Sequence, residues 1–279
     1  LFAGDVRLPD MVYAAIKHGP LDKAELTDFG AAAIAGNANI VSVVKGKRWL
    51  AAVATDWWSA HKAVDAMEPT FSVSGVVDSA ADEEALLEAV GSAPAHTVAI
   101  RGEGRSISDP DFARRYTVAP AVHAPVETAS ATARYADGRL ELWIASQAPE
   151  RAREAAAKAV GLSIEDVILY PMPAGGSFDS RLEHDHAIEI ALIAREVSQD
   201  RPRPVQLIWS RWQEHLASLP RPPAVGLLWA DLLNGGNGRI DALQARIATP
   251  PSALEFGERL FKGKTRWAAR KDAAGKTDP

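Results

Sequence analysis

A chain of 279 residues, 47% of them hydrophobic, can bury one large core or two modest ones. The net charge of −5 shows no excess of basic residues, which argues against nucleic acid as the main partner. The chain has no cysteine, which excludes disulfides, thiolate zinc sites, cysteine nucleophiles and cysteine-ligated iron–sulfur clusters. No apolar run approaches the roughly 18 residues that a membrane-spanning helix needs.

The first seventy residues predict a compact α+β unit, and residues 71–116 predict a connector. Alternating apolar residues predict strands over 11–16, 40–44 and 49–54. A helix follows, capped by Thr55 or Asp56. Its apolar face recurs at helical spacing and consists of Ala60, Ala63, Val64 and Met67. The connector holds only a short amphipathic helix, over 82–90, among turn-forming residues.

From residue 117 the pattern of apolar and turn-forming residues is clearer and predicts a strand–helix–strand unit. An Asp-Gly turn joins strands over 128–135 and 139–145, and this dipeptide is a strong hairpin signal. Pro149 then opens a helix that Gly161 stops. Because a strand over 167–172 follows within thirty residues, the order predicts a crossover unit.

Two further elements and a polar tail complete the chain. Residues 183–197 predict a helix whose centre is apolar nearly all round and therefore deeply buried. Residues 205–209 predict another buried strand. The last forty residues are increasingly rich in Gly, Lys and Asp, and their pattern predicts no helix or strand.

The loop Gly175-Gly176-Ser177-Phe178 is the strongest candidate for a ligand site. It follows a predicted strand and precedes a predicted helix, where free N–H groups can point at an anion. Its two glycines let a ligand approach the backbone, and Ser177 can donate a hydroxyl. Taken alone, two glycines between a strand and a helix are more often a plain tight turn.

Three other groupings have simpler interpretations. Glu183-His184-Asp185-His186 contains metal-ligand types, but residues i and i+2 point to different faces of a helix. Acidic residues in a first helical turn also favour the helix dipole. His123 fits an ordinary polar turn, and Trp57-Trp58 fits core and surface packing.

Six segments, taken in chain order, share one resemblance. They are 4–14 (GDVRLPDMVYA), 53–60 (VATDWWSA), 123–128 (HAPVET), 143–149 (WIASQAP), 175–178 (GGSF) and 203–211 (RPVQLIWSR). Together they resemble the molybdopterin-binding large subunit of the xanthine dehydrogenase and aldehyde oxidase family. The segments are most similar to those of its isoquinoline 1-oxidoreductase beta-subunit branch.

The resemblance implies an α+β fold and a cofactor. The expected domains are an α/β hammerhead over 1–70, a connector over 71–116 and the first part of a molybdopterin-binding domain over 117–279. The residues implied to contact a molybdenum-pterin cofactor, in its dinucleotide form, are Gln147, Gly175, Gly176, Ser177, Phe178 and Asp179. A pterin dithiolene holds the metal in this family, so no protein metal ligand is expected.

The implied activity is that of a molybdenum-dependent hydroxylase or dehydrogenase. It would oxidise an aldehyde or N-heteroaromatic substrate with water-derived oxygen. The family's catalytic glutamate lies beyond Pro279, so no catalytic residue is expected here. The implied partners are an iron–sulfur or cytochrome electron-transfer subunit and a chain carrying the C-terminal half of the large subunit. Because the chain starts at Leu1, we expect a missing N-terminus, which leaves bacterial cytoplasm and periplasm both open.

Departures from the family pattern favour a second hypothesis. The family's GGGFG loop has Ser177 at its third position and Asp179 at its last. Asp tolerates a positive φ, but at about 5 Å and an effective dielectric near 20 its charge would repel an anionic cofactor by about 3 kcal/mol. Leu182, implied to line the substrate pocket, stands where purine-oxidising relatives carry Glu, which argues against purines. The alternative is a non-catalytic structural or assembly protein that kept the fold and lost the cofactor.

Overall fold

A mixed seven-stranded sheet organises the larger of two compact units. The computed structural model describes residues 1–20, 23–75, 79–95, 97–104, 106–233 and 239–250. Unit 1 combines Leu1–Val76 with Val122–Leu219, and unit 2 holds the described residues of Val77–Ala121 and Pro220–Pro279. The α+β composition predicted from the sequence is confirmed.

The strands and α-helices of the described residues are numbered in chain order. The strands are β1 (Val12–His18), β2 (Glu25–Asp28), β3 (Ile40–Lys45), β4 (Trp49–Ala54), β5 (Thr70–Ser72), β6 (Phe112–Val118), β7 (Ser130–Ala136), β8 (Arg139–Ile144), β9 (Val167–Pro171), β10 (Val205–Ile208), β11 (Ala224–Leu232) and β12 (Ile240–Ala248). The α-helices are α1 (Trp57–Ala66), α2 (Ser79–Ser92), α3 (Pro149–Val160), α4 (Asp185–Val197) and α5 (Arg211–Ala217).

The large sheet runs in the order β3-β4-β1-β10-β7-β8-β9. The pairs β1–β10 and β8–β9 are parallel, and the other neighbours are antiparallel. A separate two-stranded ladder joins β2 to β5. Every residue of β4 is buried, because this strand is covered on both faces of the sheet.

Alternation along β1 divides the core of unit 1 between those two faces. Ala14 and Ile16 face a cluster that includes residues of α3 and α4. Ala15 faces the opposite cluster, which contains the apolar face predicted for α1. In α4, Ile190, Ile193 and their neighbours are fully buried, as the nearly all-apolar centre of this helix predicts.

Local turn and cap signals place the elements as predicted. Asp56 is the N-cap of α1 and accepts a hydrogen bond from the Ser59 N–H at 2.8 Å. Pro149 occupies the first turn of α3, and Gly161 ends that helix at φ 73°. The predicted hairpin turns at Asp137 and Gly138, which both have positive φ. The parallel pairing of β8 with β9 across α3 confirms the crossover unit.

The compact units divide the chain elsewhere than at the predicted boundaries of 70 and 116. β1 pairs with β10 in the register Val12↔Val205, so the first seventy residues share one sheet with residues of the second half. A parallel pair joins strands that are distant in sequence, and local patterns carry no signal for such pairing. Assignment of residues 1–70 to a hammerhead domain stays a prediction.

Unit 2 contains elements that the sequence patterns missed. β6, β11 and β12 form a three-stranded antiparallel sheet, and α2 packs on it through Val90, beside Val225 and Ala248. α2 is longer than the helix predicted over 82–90. The sequence pattern places residues 112–116 of β6 in the connector because turn-forming residues surround them. In the structure all residues of β6 are exposed, and two adjacent arginines interrupt its apolar residues. Most of the polar tail, residues 251–279, lies outside the described residues.

A buried polar cluster in unit 1 joins β1 to α4 and α5. His18 contacts Glu189 Oε1 through Nε2 at 2.8 Å and Gln213 Oε1 through Nδ1 at 2.9 Å. Trp209 donates its indole N–H to Glu189 Oε2 at 2.9 Å. Both carboxylate oxygens of Glu189 are therefore paired, as its burial requires.

Among the described residues, no helix is both long and apolar enough to cross a bilayer.

The neutral state of His186 makes stability depend on pH. Its side chain is buried beside the Ala145 carbonyl, and burial, followed by the charge of Arg181, lowers the pKa of His186 to about 3 from 6.5. Because the pKa of His186 is lower in the folded chain than in the unfolded one, folding is favoured while His186 is neutral. The stability that depends on neutral His186 is complete above pH 6.5 and is lost as pH falls from 6.5 towards 3.

We expect the wild-type chain to lose about 2 kcal/mol more of its free energy of unfolding between pH 7.5 and pH 5 than His186→Gln loses. Urea unfolding of both proteins at the two pH values measures the difference. An equal loss in both would show that His186 gains its proton without penalty in the folded chain.

Candidate functional site

The glycine loop lies between β9 and a single turn of 3-10 helix, Ser180–Leu182, that precedes α4. Gly176, Phe178 and Asp179 have φ values of 96°, 49° and 73°. The left-handed region is costly for residues with a Cβ, and such strain is concentrated at functional sites. Ser177 does not have a positive φ, so serine replaces the family's third glycine without backbone strain.

Four consecutive backbone N–H groups of the loop have no hydrogen-bond acceptor among the described residues. They belong to Gly176, Ser177, Phe178 and Asp179. The Gly175 N–H is different, because it donates to Glu127 Oε2 at 3.0 Å. The part of the loop able to bind an anion through its backbone therefore begins at Gly176.

Glu127 anchors the start of this loop. Its N–H donates to the Gly175 carbonyl at 3.0 Å, which makes the contact with Gly175 reciprocal. Its Oε1 accepts the Gly4 N–H at 2.8 Å and the Ser130 hydroxyl at 3.2 Å. A Cβ on Gly175 would lie 2.5 Å from the Glu127 Cβ, so only glycine fits at this position.

Arg181 and Glu214 form a buried ion pair behind the loop. Arg181 Nη1 lies 2.8 Å from Glu214 Oε1, and the two side chains are 5% and 2% exposed. Arg181 Nη2 donates to the Glu127 carbonyl at 2.9 Å, and Glu214 Oε2 accepts the Ala129 N–H at 2.6 Å. Sequence reasoning missed Arg181 and Glu214, because their contacts join segments that no local pattern relates.

The structure brings Gln147 and Asp179 together. The Gln147 Nε2 lies 3.4 Å from Asp179 Oδ1, and both side chains are exposed. The Gln147 N–H donates to the Arg181 carbonyl at 3.0 Å, which fixes the backbone of Gln147 beside the loop. The Asp179 carboxylate thus accepts a hydrogen bond from the side chain implied to approach the metal.

The remaining candidates occupy different environments. Phe178 is 64% exposed, and Ser177 is partly buried. Leu182 is partly buried at the end of the 3-10 turn, where its N–H donates to the Asp179 carbonyl. His123 contacts the Leu219 carbonyl through Nε2 at 3.0 Å.

The Glu183-His184-Asp185-His186 run does not converge on one point. His184 is the N-cap of α4, whereas His186 is buried within the helix. In the ranges that the structure describes, no three His, Cys, Asp or Glu side chains are grouped to hold a metal ion. Trp57 is partly buried and donates to the Ile208 carbonyl, while Trp58 is 58% exposed.

The family profile of the molybdopterin cofactor-binding domain matches residues 103–254 of the chain. This span contains Gln147, the glycine loop and the pair formed by Arg181 and Glu214. No curated protein sequence matches the chain.

Solved structures of molybdenum-containing and related oxidoreductases share the fold. Quinoline 2-oxidoreductase from Pseudomonas putida 86 has a TM-score of 0.63 at 17% identity, over 89% of this chain and 37% of that chain. Aldehyde oxidoreductase from Desulfovibrio gigas has a TM-score of 0.61 at 15% identity, over 89% and 32%. Reconstituted CO dehydrogenase from Oligotropha carboxidovorans has a TM-score of 0.59 at 16% identity, over 88% and 37%. The chain spans about a third of the length of each.

Removing one partner of the buried ion pair should be strongly destabilising. In Glu214→Leu the Arg181 charge stays buried without a counter-charge, so the free energy of unfolding should fall by about 3 to 5 kcal/mol. The double variant Arg181→Met/Glu214→Leu should be more stable than the single one, because neither charge of this pair remains. Urea unfolding measures both.

The matched control is the surface pair of Arg153 and Glu150, whose charged atoms are 3.0 Å apart and whose carboxylate is largely exposed. Glu150→Ala should cost no more than about 1 kcal/mol. An equal cost for Glu214→Leu and Glu150→Ala would contradict the assigned burial of the Arg181 pair.

Proposed function

We propose that this chain, which belongs to the molybdopterin cofactor-binding domain family, supplies the glycine-loop side of the cofactor site in a molybdenum-dependent oxidoreductase. One observation carries the proposal. The four N–H groups of residues 176–179 have no acceptor among the described residues, and the Asp179 carboxylate of the same segment lies 3.4 Å from the exposed amide of Gln147. Backbone donors in such a loop suit an anionic ligand rich in oxygen.

The residues present fit a molybdenum-pterin cofactor. Gly176 combines a positive φ with an N–H that no described residue accepts, so the backbone itself is available to the ligand. The proposed cofactor holds its metal through its own dithiolene sulfurs, which a chain without cysteine can accommodate. The dinucleotide form is part of the proposal, since its additional phosphate groups are further acceptors for backbone donors.

Each loop residue has a role that follows from its environment. When bound, the cofactor would supply a two-electron oxidation that uses water-derived oxygen. Gln147 would hold a polar atom near the metal through its exposed amide, and the N–H groups of residues 176–179 would orient the cofactor. Phe178, 64% exposed, would offer an aromatic surface to a bound group.

The proposed substrate is an aldehyde or an N-heteroaromatic compound. Leu182 presents a partly buried apolar side chain at the position where purine-oxidising relatives carry glutamate. Two structural neighbours act by name on such compounds, namely quinoline and aldehydes. An apolar residue at this position suits a substrate without the polar groups of a purine.

The proposal includes partners. A chain without cysteine cannot ligate an iron–sulfur cluster through thiolates, so electrons would pass to an iron–sulfur or cytochrome subunit. The second proposed partner is a chain that would carry the C-terminal half of the large subunit, with the catalytic glutamate; this proposal is supported by the 37% and 32% of two structural neighbours that this chain covers. The hammerhead assignment of residues 1–70 belongs to the same proposal.

A non-catalytic structural or assembly role is the second candidate, and Asp179 is the observation that favours it. Its carboxylate stands at the loop beside Gln147 and adds negative charge where the cofactor would bind. In this hypothesis the fold and its buried polar contacts are retained while cofactor affinity is lost.

The metal content of the purified protein separates the two candidates. Isolated with its co-purifying partners from cells supplied with molybdate, the chain should contain both molybdenum and pterin, measured by elemental analysis and by fluorescence of the oxidised pterin. Gln147→Ala should lower both, whereas Gln199→Ala, at an exposed glutamine on another part of unit 1, should leave both unchanged. A partner-bound chain without molybdenum and pterin would exclude the enzyme.

The charge of Asp179 should limit cofactor occupancy. Asp179→Asn keeps tolerance of the positive φ and a carbonyl for Gln147, but it removes the charge. Both Asp179→Asn and Asp179→Gly should raise cofactor affinity by up to about a hundredfold, as the ~3 kcal/mol repulsion predicts. Molybdenum content at limiting molybdate measures the gain. Unchanged occupancy in both variants would show that this charge does not act on the cofactor.

A further inference from the structure

Helix α5 holds several separate segments of unit 1 through three polar side chains. Arg211 donates to the carbonyls of Pro125 at 2.6 Å and Val126 at 2.8 Å. Gln213 accepts from His18, and Glu214 accepts from both Ala129 and Arg181. The segment that ends in Glu127 and the turn that follows the glycine loop are thus tied to one short helix.

Arg181 extends this connection to the candidate site. Its guanidinium donates to Glu214 Oε1 and to the Glu127 carbonyl, and its own carbonyl accepts the Gln147 N–H. Glu127 in turn exchanges two hydrogen bonds with Gly175. Arg181 therefore contacts the segments on both sides of the proposed cofactor contacts, although it is itself almost fully buried.

We infer that Arg181 and Glu214 are positioning residues that hold the glycine loop and Gln147 at a fixed separation. This inference rests on the proposed function, since the separation matters only if both groups bind one ligand. Neither residue is assigned a contact with the cofactor. Their effect passes through the Glu127 carbonyl, the Ala129 N–H and the Gln147 N–H.

The chemistry of the pair suits this task. A guanidinium is a planar fork that can donate in two fixed directions at once, here to a carboxylate and to a carbonyl. The three N–H donors of a lysine ammonium share one nitrogen, whereas the two bonds here are made by two separate nitrogens, Nη1 and Nη2, held in a fixed plane. The loop also holds Phe178 and Asp179 at positive φ, and residues in such conformations persist only when their surroundings constrain them.

Amide hydrogen exchange tests the positioning role without any cofactor. Three N–H groups report on it, those of Gln147, Gly175 and Glu127, because each is hydrogen-bonded across the site. Two variants are tested, Arg181→Lys and Glu214→Gln, of which Glu214→Gln is the milder because it preserves the shape of the side chain. In both, these three amides should exchange about tenfold faster, or more, than in the wild-type protein. Unchanged exchange in both variants would overturn the inference.

The matched control is Glu189→Gln, which perturbs an equally buried carboxylate bonded to His18 and Trp209. At a similar loss of global stability, measured by urea unfolding, it should leave the three reporter amides within about twofold of wild type. Equal acceleration in this control would assign the effect to general destabilisation and would overturn the positioning role.

Molybdenum content then tests whether positioning serves the cofactor. In partner-bound protein, Arg181→Lys should lower molybdenum per chain by about tenfold relative to wild type, while Glu189→Gln retains it. Wild-type molybdenum content in Arg181→Lys, despite faster exchange, would overturn the link to the cofactor. If the wild-type protein itself holds no molybdenum, the proposed function fails, and the exchange data alone decide whether Arg181 and Glu214 position the loop.

Discussion

The buried ion pair between Arg181 and Glu214 is the contact on which the candidate site depends. Two charges removed from water persist only when further hydrogen bonds satisfy their remaining donors and acceptors. Here Glu214 pairs one oxygen with Arg181 and the other with the Ala129 N–H, and Arg181 adds the Glu127 carbonyl. The pair therefore constrains backbone atoms of the segment 127–129, and Glu127 of this segment exchanges two hydrogen bonds with Gly175 of the glycine loop.

A second buried carboxylate applies the same constraint elsewhere in the core. Glu189 accepts from Trp209 and contacts His18, which in turn meets Gln213 on α5. The apolar core around these groups is rich in alanine, and α3 and α4 pack with small buried side chains between them. Apolar contacts between small side chains are non-directional and tolerate shifts, whereas hydrogen-bonded buried groups require one arrangement. Each cluster thus contains one polar side chain of α5, Glu214 in the first and Gln213 in the second.

Features of the fold that depend on neighbouring residues were predictable, and those that depend on distant pairs were not. Asp56 capping α1, the Asp-Gly hairpin and Gly161 ending α3 are each determined within a few residues. The β1–β10 pairing joins strands about two hundred residues apart, and no local pattern specifies it. At the site, the sequence indicated Gln147 and the loop by resemblance. It gave no sign of Arg181, whose importance comes from burial against Glu214.

The structure also changes the meaning of the loop's two departures from the family pattern. Ser177 lies outside the positive φ region, so its position does not require glycine in this chain. Asp179 lies at φ 73°, so its position requires a left-handed residue, which aspartate provides at a lower cost than most side chains. Its carboxylate then accepts from Gln147 Nε2. The aspartate at the last loop position therefore couples that position to the Gln147 side chain, so a change of residue 179 also changes what holds the orientation of that amide.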